Sequence, residues 1–175
     1  RLTVSSGLVE NRVTVTTLSA DPITDNNAAA AETTIIGDPL PVNLSITIDD
    51  SVDPVLTEEP FDYLITLGNE GPGAVSEYAI TGDLPPGVVP GNIAAPDLVS
   101  CSVEGQRFIC RSEGLLPPNA ENLITLSVTA PPEPADLSFV VEIQFTGAGI
   151  DEDGSDNTDS EQTSVRLTPT AEDLE

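Results

Sequence analysis

The densest run of potential ligands in the chain is "DEDGSDNTD", which holds Asp151, Asp153, Asp156, Asn157 and Asp159. Closely spaced oxygen donors of this kind are what Ca²⁺, a hard cation, requires. An EF-hand would place Gly at the position of Asp156 and Glu at the twelfth position, where Gln162 stands, so the run is not an EF-hand. Two readings stay open: an irregular calcium site formed by these five residues, and a solvated acidic turn. A second acidic group, Asp49, Asp50 and Asp53 beside Glu58, Glu59 and Asp62, carries the same two readings. The remaining reactive side chains are Cys101 and Cys110 in "CSVEGQRFIC". A four-residue loop, Glu104 to Arg107, would set the two cysteines opposite each other on paired strands. A disulfide there contributes about 2–3 kcal/mol by loop entropy, and it implies an oxidising, extracytoplasmic compartment. Two reduced core cysteines are the alternative.

What is missing narrows the chemistry further. The sequence has no His, which removes imidazole acid–base catalysis, Ser/His/Asp triads and His-ligated metals. All five basic residues are Arg, so Schiff-base chemistry and Lys–Asn crosslinks are excluded as well. Carboxylate pairs abound, but sugar sites add aromatic platforms, and only four Phe and two Tyr are present. No catalytic residues are expected, and the chain does not read as an enzyme. A formal charge of -25, from 30 acidic residues against 5 basic ones, repels nucleic acid and anionic lipid alike. No apolar run is long enough for direct membrane insertion.

The elements that must carry these residues are strands. Val, Ile, Leu and Thr supply the apolar pattern, and segments alternate with period two: "VNLSITI", "FDYLITL", "SEYAITG", "NLITLSV", "SFVVEIQF" and "EQTSVRL". Between them lie Pro- and Gly-rich connectors such as "NEGPGA", "LPPGVVPG" and "APPEPAD", which mark strand ends because Pro cannot donate to a ladder. Seven or eight such strands predict an all-β fold, an immunoglobulin-like antiparallel β-sandwich.

The pattern also repeats. Asn27 falls on Asn157 at a shift of 130 positions, and the same shift sets Val13 and Val15 on Ile143 and Phe145, Asp21 on Asp151, Thr33 on Thr163 and Ile35 on Val165. Pro39 and Leu44 likewise fall on Pro169 and Leu174. Tandem-repeat organisation follows. Residues 1–36 read as the C-terminal β-hairpin of a preceding repeat, 37–41 as a linker, 42–167 as a complete unit, and 168–175 as a linker and the start of a following repeat. The chain begins mid-pattern at Arg1, as a mature or excised piece would.

In order along the chain, the Asn-x-Gly-Pro turn (Asn69, Gly71, Pro72), the Leu-Pro-x-Gly element (Leu84, Pro85, Gly87), the paired cysteines and the closing "SDNTDSEQTSV" resemble the prokaryotic cell-surface Ig-like repeat family catalogued as domain of unknown function 11. The end of the unit is more acidic here than is usual in that family. The resemblance implies tandem sandwiches in an extracellular or cell-surface protein, a spacer or shaft of an adhesin or fibre. Its partners would be neighbouring repeats or identical subunits, up to a homopolymer assembled head-to-tail by β-strand complementation. The competing expectation is an adhesin module whose loops bind a surface glycan or protein.

Overall fold

The structure, a computed structural model, describes residues 7–35, 40–147 and 150–168. The chain divides into two compact units, 1–39 and 40–175. Within the larger one, ten strands form two antiparallel-dominated sheets. One holds β3 (Leu44–Asp50), β5 (Pro60–Asn69), β10 (Ala120–Thr129) and β7 (Val89–Ala94) in the order β3-β5-β10-β7. The other runs β4-β12-β11-β6-β9-β8, from β4 (Val55–Leu56), β12 (Thr158–Arg166), β11 (Ala135–Phe145), β6 (Tyr78–Asp83), β9 (Arg107–Ser112) and β8 (Val99–Glu104). The fold is an immunoglobulin-like β-sandwich.

The period-two reading places the core correctly. Leu44, Ile46 and Ile48 of β3, Phe61, Tyr63, Ile65 and Leu67 of β5, Ile124, Leu126 and Val128 of β10, and Phe139, Val141 and Ile143 of β11 are all buried. Successive strand residues point to opposite faces, so each strand offers one apolar row to the space between the sheets. Tyr63, Phe139 and Phe108 stack edge-to-face through its centre, with ring centroids 4.9 and 6.2 Å apart.

Two strands lie where a loop or nothing was expected. β7 includes Pro90 and Gly91 from the connector "LPPGVVPG". It is an edge strand, paired to β10 alone with a register irregularity between Leu126 and Val128, and an edge tolerates a residue without an N–H. β4 is two residues long and pairs in parallel with Val165 and Arg166 of β12, too short for any periodicity to announce it. Turn residues behave as their chemistry dictates. Gly87 has φ +84°, and Val88 N–H donates to the Pro85 carbonyl at 3.2 Å, closing a type II turn through Pro86 and Gly87.

The smaller unit is a hairpin of β1 (Gly7–Thr14) and β2 (Ala28–Ile35), with a 3₁₀ turn at Thr24–Asn26 in its loop. It is the counterpart of β11 and β12 under the 130-residue shift, with one difference. Val13 pairs with Ala29, whereas Asp159, the counterpart of Ala29, pairs with Val141 rather than with Ile143. A slip of two residues keeps every side chain on its own face; a slip of one would not. Residues 36–39 and 169–175, which include most of the expected linker and the start of a following repeat, lie outside the described residues.

Candidate functional site

Cys101 and Cys110 form a disulfide between directly opposed positions of β8 and β9. The connecting turn is tighter than expected: Glu104 pairs with Arg107, which leaves Gly105 and Gln106 as a two-residue loop. Gly105 takes φ +67° at the first loop position, the signature of a type II′ hairpin.

The Asn-x-Gly-Pro motif turns out to be a buried corner. The Asn69 side-chain amide donates to the carbonyls of Gly73 (2.8 Å), Leu116 (3.3 Å) and Pro117 (3.3 Å), and its Oδ1 accepts the Gly71 N–H at 3.2 Å. One side chain thereby pins the end of β5 to the loop ahead of β10. A side chain on Gly71 would lie 2.5 Å from the Asn43 nitrogen and from the Val42 carbonyl carbon, so the incoming chain passes against bare backbone.

The acidic run between β11 and β12 has a structural task. β3 is an edge strand, and its outward N–H groups belong to alternate residues. Val42 donates to the Ile150 carbonyl at 2.9 Å, Leu44 to Asp151 Oδ1 at 3.3 Å, Ile46 to the Asp156 carbonyl at 3.0 Å, and Ile48 to Asp159 Oδ2 at 2.9 Å. The run therefore acts as a surrogate strand that blunts an edge otherwise open to pairing. Asn157 is tied to Asp151 Oδ2 at 2.9 Å, and Asp153 is engaged by Ser155 within the turn. Of the five residues expected to ligate calcium, Asp151 and Asp159 are engaged by backbone donors of β3. Across the edge, Asp53 Oδ1 accepts the Ser164 N–H of β12 at 2.7 Å.

A different set of carboxylates converges. Among the described residues, the group whose oxygens all lie within 4.8 Å of one another is Asp49, Asp50 and Glu161. Asp50 ends the inward row of β3 and sits opposite Tyr63 of β5. Glu161 belongs to the β12 row that includes buried Thr163 and Val165. Asp49 and Asp50 were legible as part of an acidic group, whereas Glu161 was not, because only the packing of β3 on β12 brings it there. Asp53 lies close enough to act on the charges of Asp50 and Glu161, while Glu58, Glu59 and Asp62 are not part of the group.

Burial, followed by the charges of neighbouring carboxylates, raises the Asp50 and Glu161 carboxyls above their ordinary 3.8 and 4.5. A raised folded-state value means that the native state holds protons the unfolded chain releases. Both groups therefore cost stability as pH rises from those ordinary values through the folded ones.

Tyr63 has the same sign at the other end of the scale. Desolvation pushes its phenol up to about 12 from 10.0, so stability should fall as pH rises through 10 toward 12. Urea midpoints measured across that window should decline less steeply for Tyr63→Phe than for the wild type. Equal slopes would remove Tyr63 as the cause.

A scan against protein-family models and a search of curated proteins give no match. Solved structures are similar in fold. The CARDB domain of a Pyrococcus furiosus protein superposes with a TM-score of 0.52 at 15% identity, covering 74% of this chain and 99% of that one. BcpA, the major pilin subunit of Bacillus cereus, in its D312A form, gives 0.55 at 14% identity, over 80% of this chain and 45% of that one. A type I cohesin of the ScaB protein from Pseudobacteroides cellulosolvens gives 0.51 at 9% identity, over 73% and 96%. At such identities the likeness is one of fold.

Proposed function

We propose that the chain is a structural tandem-repeat module of an extracellular prokaryotic surface protein, a member of the surface-repeat family its motifs resemble, serving as a spacer or shaft. The repeat carries this reading. A hairpin and the closing strands of a complete sandwich share one sequence pattern 130 residues apart, and the hairpin belongs to a separate compact unit. The disulfide supports an oxidising compartment. The similarity to pilin and cohesin modules supports a surface role by analogy of fold alone.

Assembly follows from what the hairpin leaves uncovered. Val13 and Val15, the counterparts of Ile143 and Phe145, are 56% and 65% exposed, and a two-stranded hairpin is marginal in water without a surface to cover it. In the complete unit, the equivalent β11 face closes a sandwich. The hairpin would close another sandwich in the same way, that of a neighbouring repeat or subunit, by adding its strands.

Static light scattering of the chain against residues 40–175 tests this. The full chain should gain mass with concentration as its hairpin exchanges with, or pairs at the sheet edge of, the sandwich of a second copy, and the shortened one should stay monomeric with an unchanged melting temperature, since it keeps its own β11 and β12. Equal association of the two would overturn complementation.

A further inference from the structure

We propose that the open edge of β8 receives the hairpin of a second copy, with β2 lying parallel to β8 and Glu32 of the second copy reaching Arg111. This rests on the hairpin-driven assembly proposed above and names the surface that accepts it. The sandwich has four sheet edges, and three are guarded in ways that natural sheets use against pairing. The acidic run covers β3. On β12, the two-residue β4 and the Asp53 carboxylate, which takes the Ser164 N–H, occupy the edge. β7 carries Pro90, which has no N–H, beside a register irregularity. β8 is six residues long, contains no Pro or Gly, and has no such cover.

Alternation shows which groups β8 leaves open. Glu113 N–H donates to the Leu98 carbonyl at 2.8 Å, so even positions of β8 bond β9, and Cys101 and Val103 turn their N–H and C=O groups outward. Among the described residues, the Cys101 and Val103 N–H groups have no backbone partner. In the hairpin, Val15 N–H donates to the Asn27 carbonyl at 2.8 Å, so odd positions of β2 bond β1, and Ala30, Glu32 and Thr34 face its free edge. The core row of β2 is the odd one, since Thr33 and Ile35 are the counterparts of buried Thr163 and Val165. Antiparallel addition to β8 would turn that row to the outer face, because residues that exchange bonds lie opposite each other and share a face. Parallel addition sets the outward-bonding residues of one strand opposite the inward-bonding residues of the other, which keeps both core rows on one side. β12, the counterpart of β2, uses its own edge in this way: it pairs in parallel with β4, buried Val165 opposite buried Val55.

Charge sets the register. With Thr33 opposite Cys101, Glu32 N–H donates to the Val99 carbonyl, Cys101 N–H to Glu32, Thr34 N–H to Cys101 and Val103 N–H to Thr34. Glu32 then lies beside Ser100, whose neighbour on β9 is Arg111. Two strand spacings, about 9–10 Å, separate Glu32 from Arg111, and two long side chains span that gap over a serine. Arg111 is exposed and is the described arginine with no ion pair, whereas Arg12, Arg107 and Arg166 have Glu10, Asp83 and Asp136. A shift of two residues would set Glu32 beside Ser102 instead, diagonal to Glu104. On a chain of formal charge -25, the β8 edge with Arg107 and Arg111 behind it offers an acidic second copy positive charge to meet. Donor and acceptor edges are different surfaces, so the contact is heterologous and repeats head-to-tail.

Residues 40–175 keep β8 and lack the hairpin, so in excess they should cap the assemblies of the full chain and lower their mass in static light scattering. The same piece carrying Val103→Pro should not cap. It loses an N–H that bonds nothing within the sandwich, at an edge position that admits Pro, and its melting temperature shows whether it folds. Where that variant melts early, a charge swap between exposed side chains decides instead. In the full chain at low salt, Arg111→Glu should weaken association about two- to ten-fold, and Glu32→Arg in that background should restore it. Three results would overturn the β8 edge as acceptor: no capping by residues 40–175, capping that survives Val103→Pro, or a swapped pair that associates no better than Arg111→Glu alone. Failure of complementation itself looks different, as equal association of the full chain and residues 40–175.

Discussion

Asn69→Leu is expected to destabilise the sandwich by about 3–5 kcal/mol, a large fraction of the stability of an ordinary domain. The size follows from the number of partners stranded. Leucine matches the amide in bulk but strands the Gly71 N–H and the Gly73 carbonyl at a site where Asn69 is 1% exposed, while the Leu116 and Pro117 carbonyls lose its amide and keep the N–H groups of Val75 and Ala120. Each buried group left unpaired costs about 1–3 kcal/mol, less where water reaches it. Asn69→Asp should be no better, since a carboxylate can still accept from Gly71 but faces three carbonyl oxygens it cannot serve. Urea midpoints give the measurement. A loss below about 1 kcal/mol for both variants would show that the corner is held by its backbone bonds alone, among them Asn119 N–H to the Asn69 carbonyl at 2.7 Å.

That corner also shows what the sequence could disclose. Asn69, Gly71 and Pro72 were visible as a motif, and the strands around them were visible by alternation, because both signals are local. The cysteine pairing was legible for the same reason: a short hairpin brings its own ends together. The placement of Glu161 beside Asp49 and Asp50 was not local. It depends on β3 of one sheet lying against β12 of the other, and residues 111 apart, such as Ile48 and Asp159, meet only after both sheets have formed. The same limit hid the task of the acidic run. Its composition left a calcium site and a solvated acidic turn both open, and neither reading contains the edge N–H groups of β3 that engage Asp151 and Asp159, which become visible only once β3 is known to lack a neighbour on that side. Acidic residues on this chain therefore divide by geometry: some accept from an open sheet edge, and three face one another.

The other large effect is expected at Phe139. Phe139→Ala should cost about 3–5 kcal/mol, the range for deleting a buried aromatic ring. Phe139 is fully buried at the point where the two sheets meet, stacked on Tyr63 of the facing sheet at 4.9 Å and 63° and on Phe108 of its own sheet at 6.2 Å and 81°. The ring also explains a glycine. A Cβ on Gly82 of β6 would fall 2.7 Å from Phe139 Cε2 and 2.6 Å from the Val140 carbonyl oxygen, so Gly82 is bare because the ring lies over it. Gly82→Ala should therefore destabilise the wild type, and less so in a Phe139→Ala background, where the ring clash is gone and only the contact with the Val140 carbonyl remains. A double-mutant cycle reads the difference as a coupling of about 0.5–3 kcal/mol, favouring the double variant over the sum of the singles. Strict additivity would mean that the strain at Gly82 comes from the Val140 backbone alone. The aromatic stack would then owe nothing to the glycine beneath it, and the centre of the sandwich would be held by ring-to-ring packing without the backbone approach that this geometry shows.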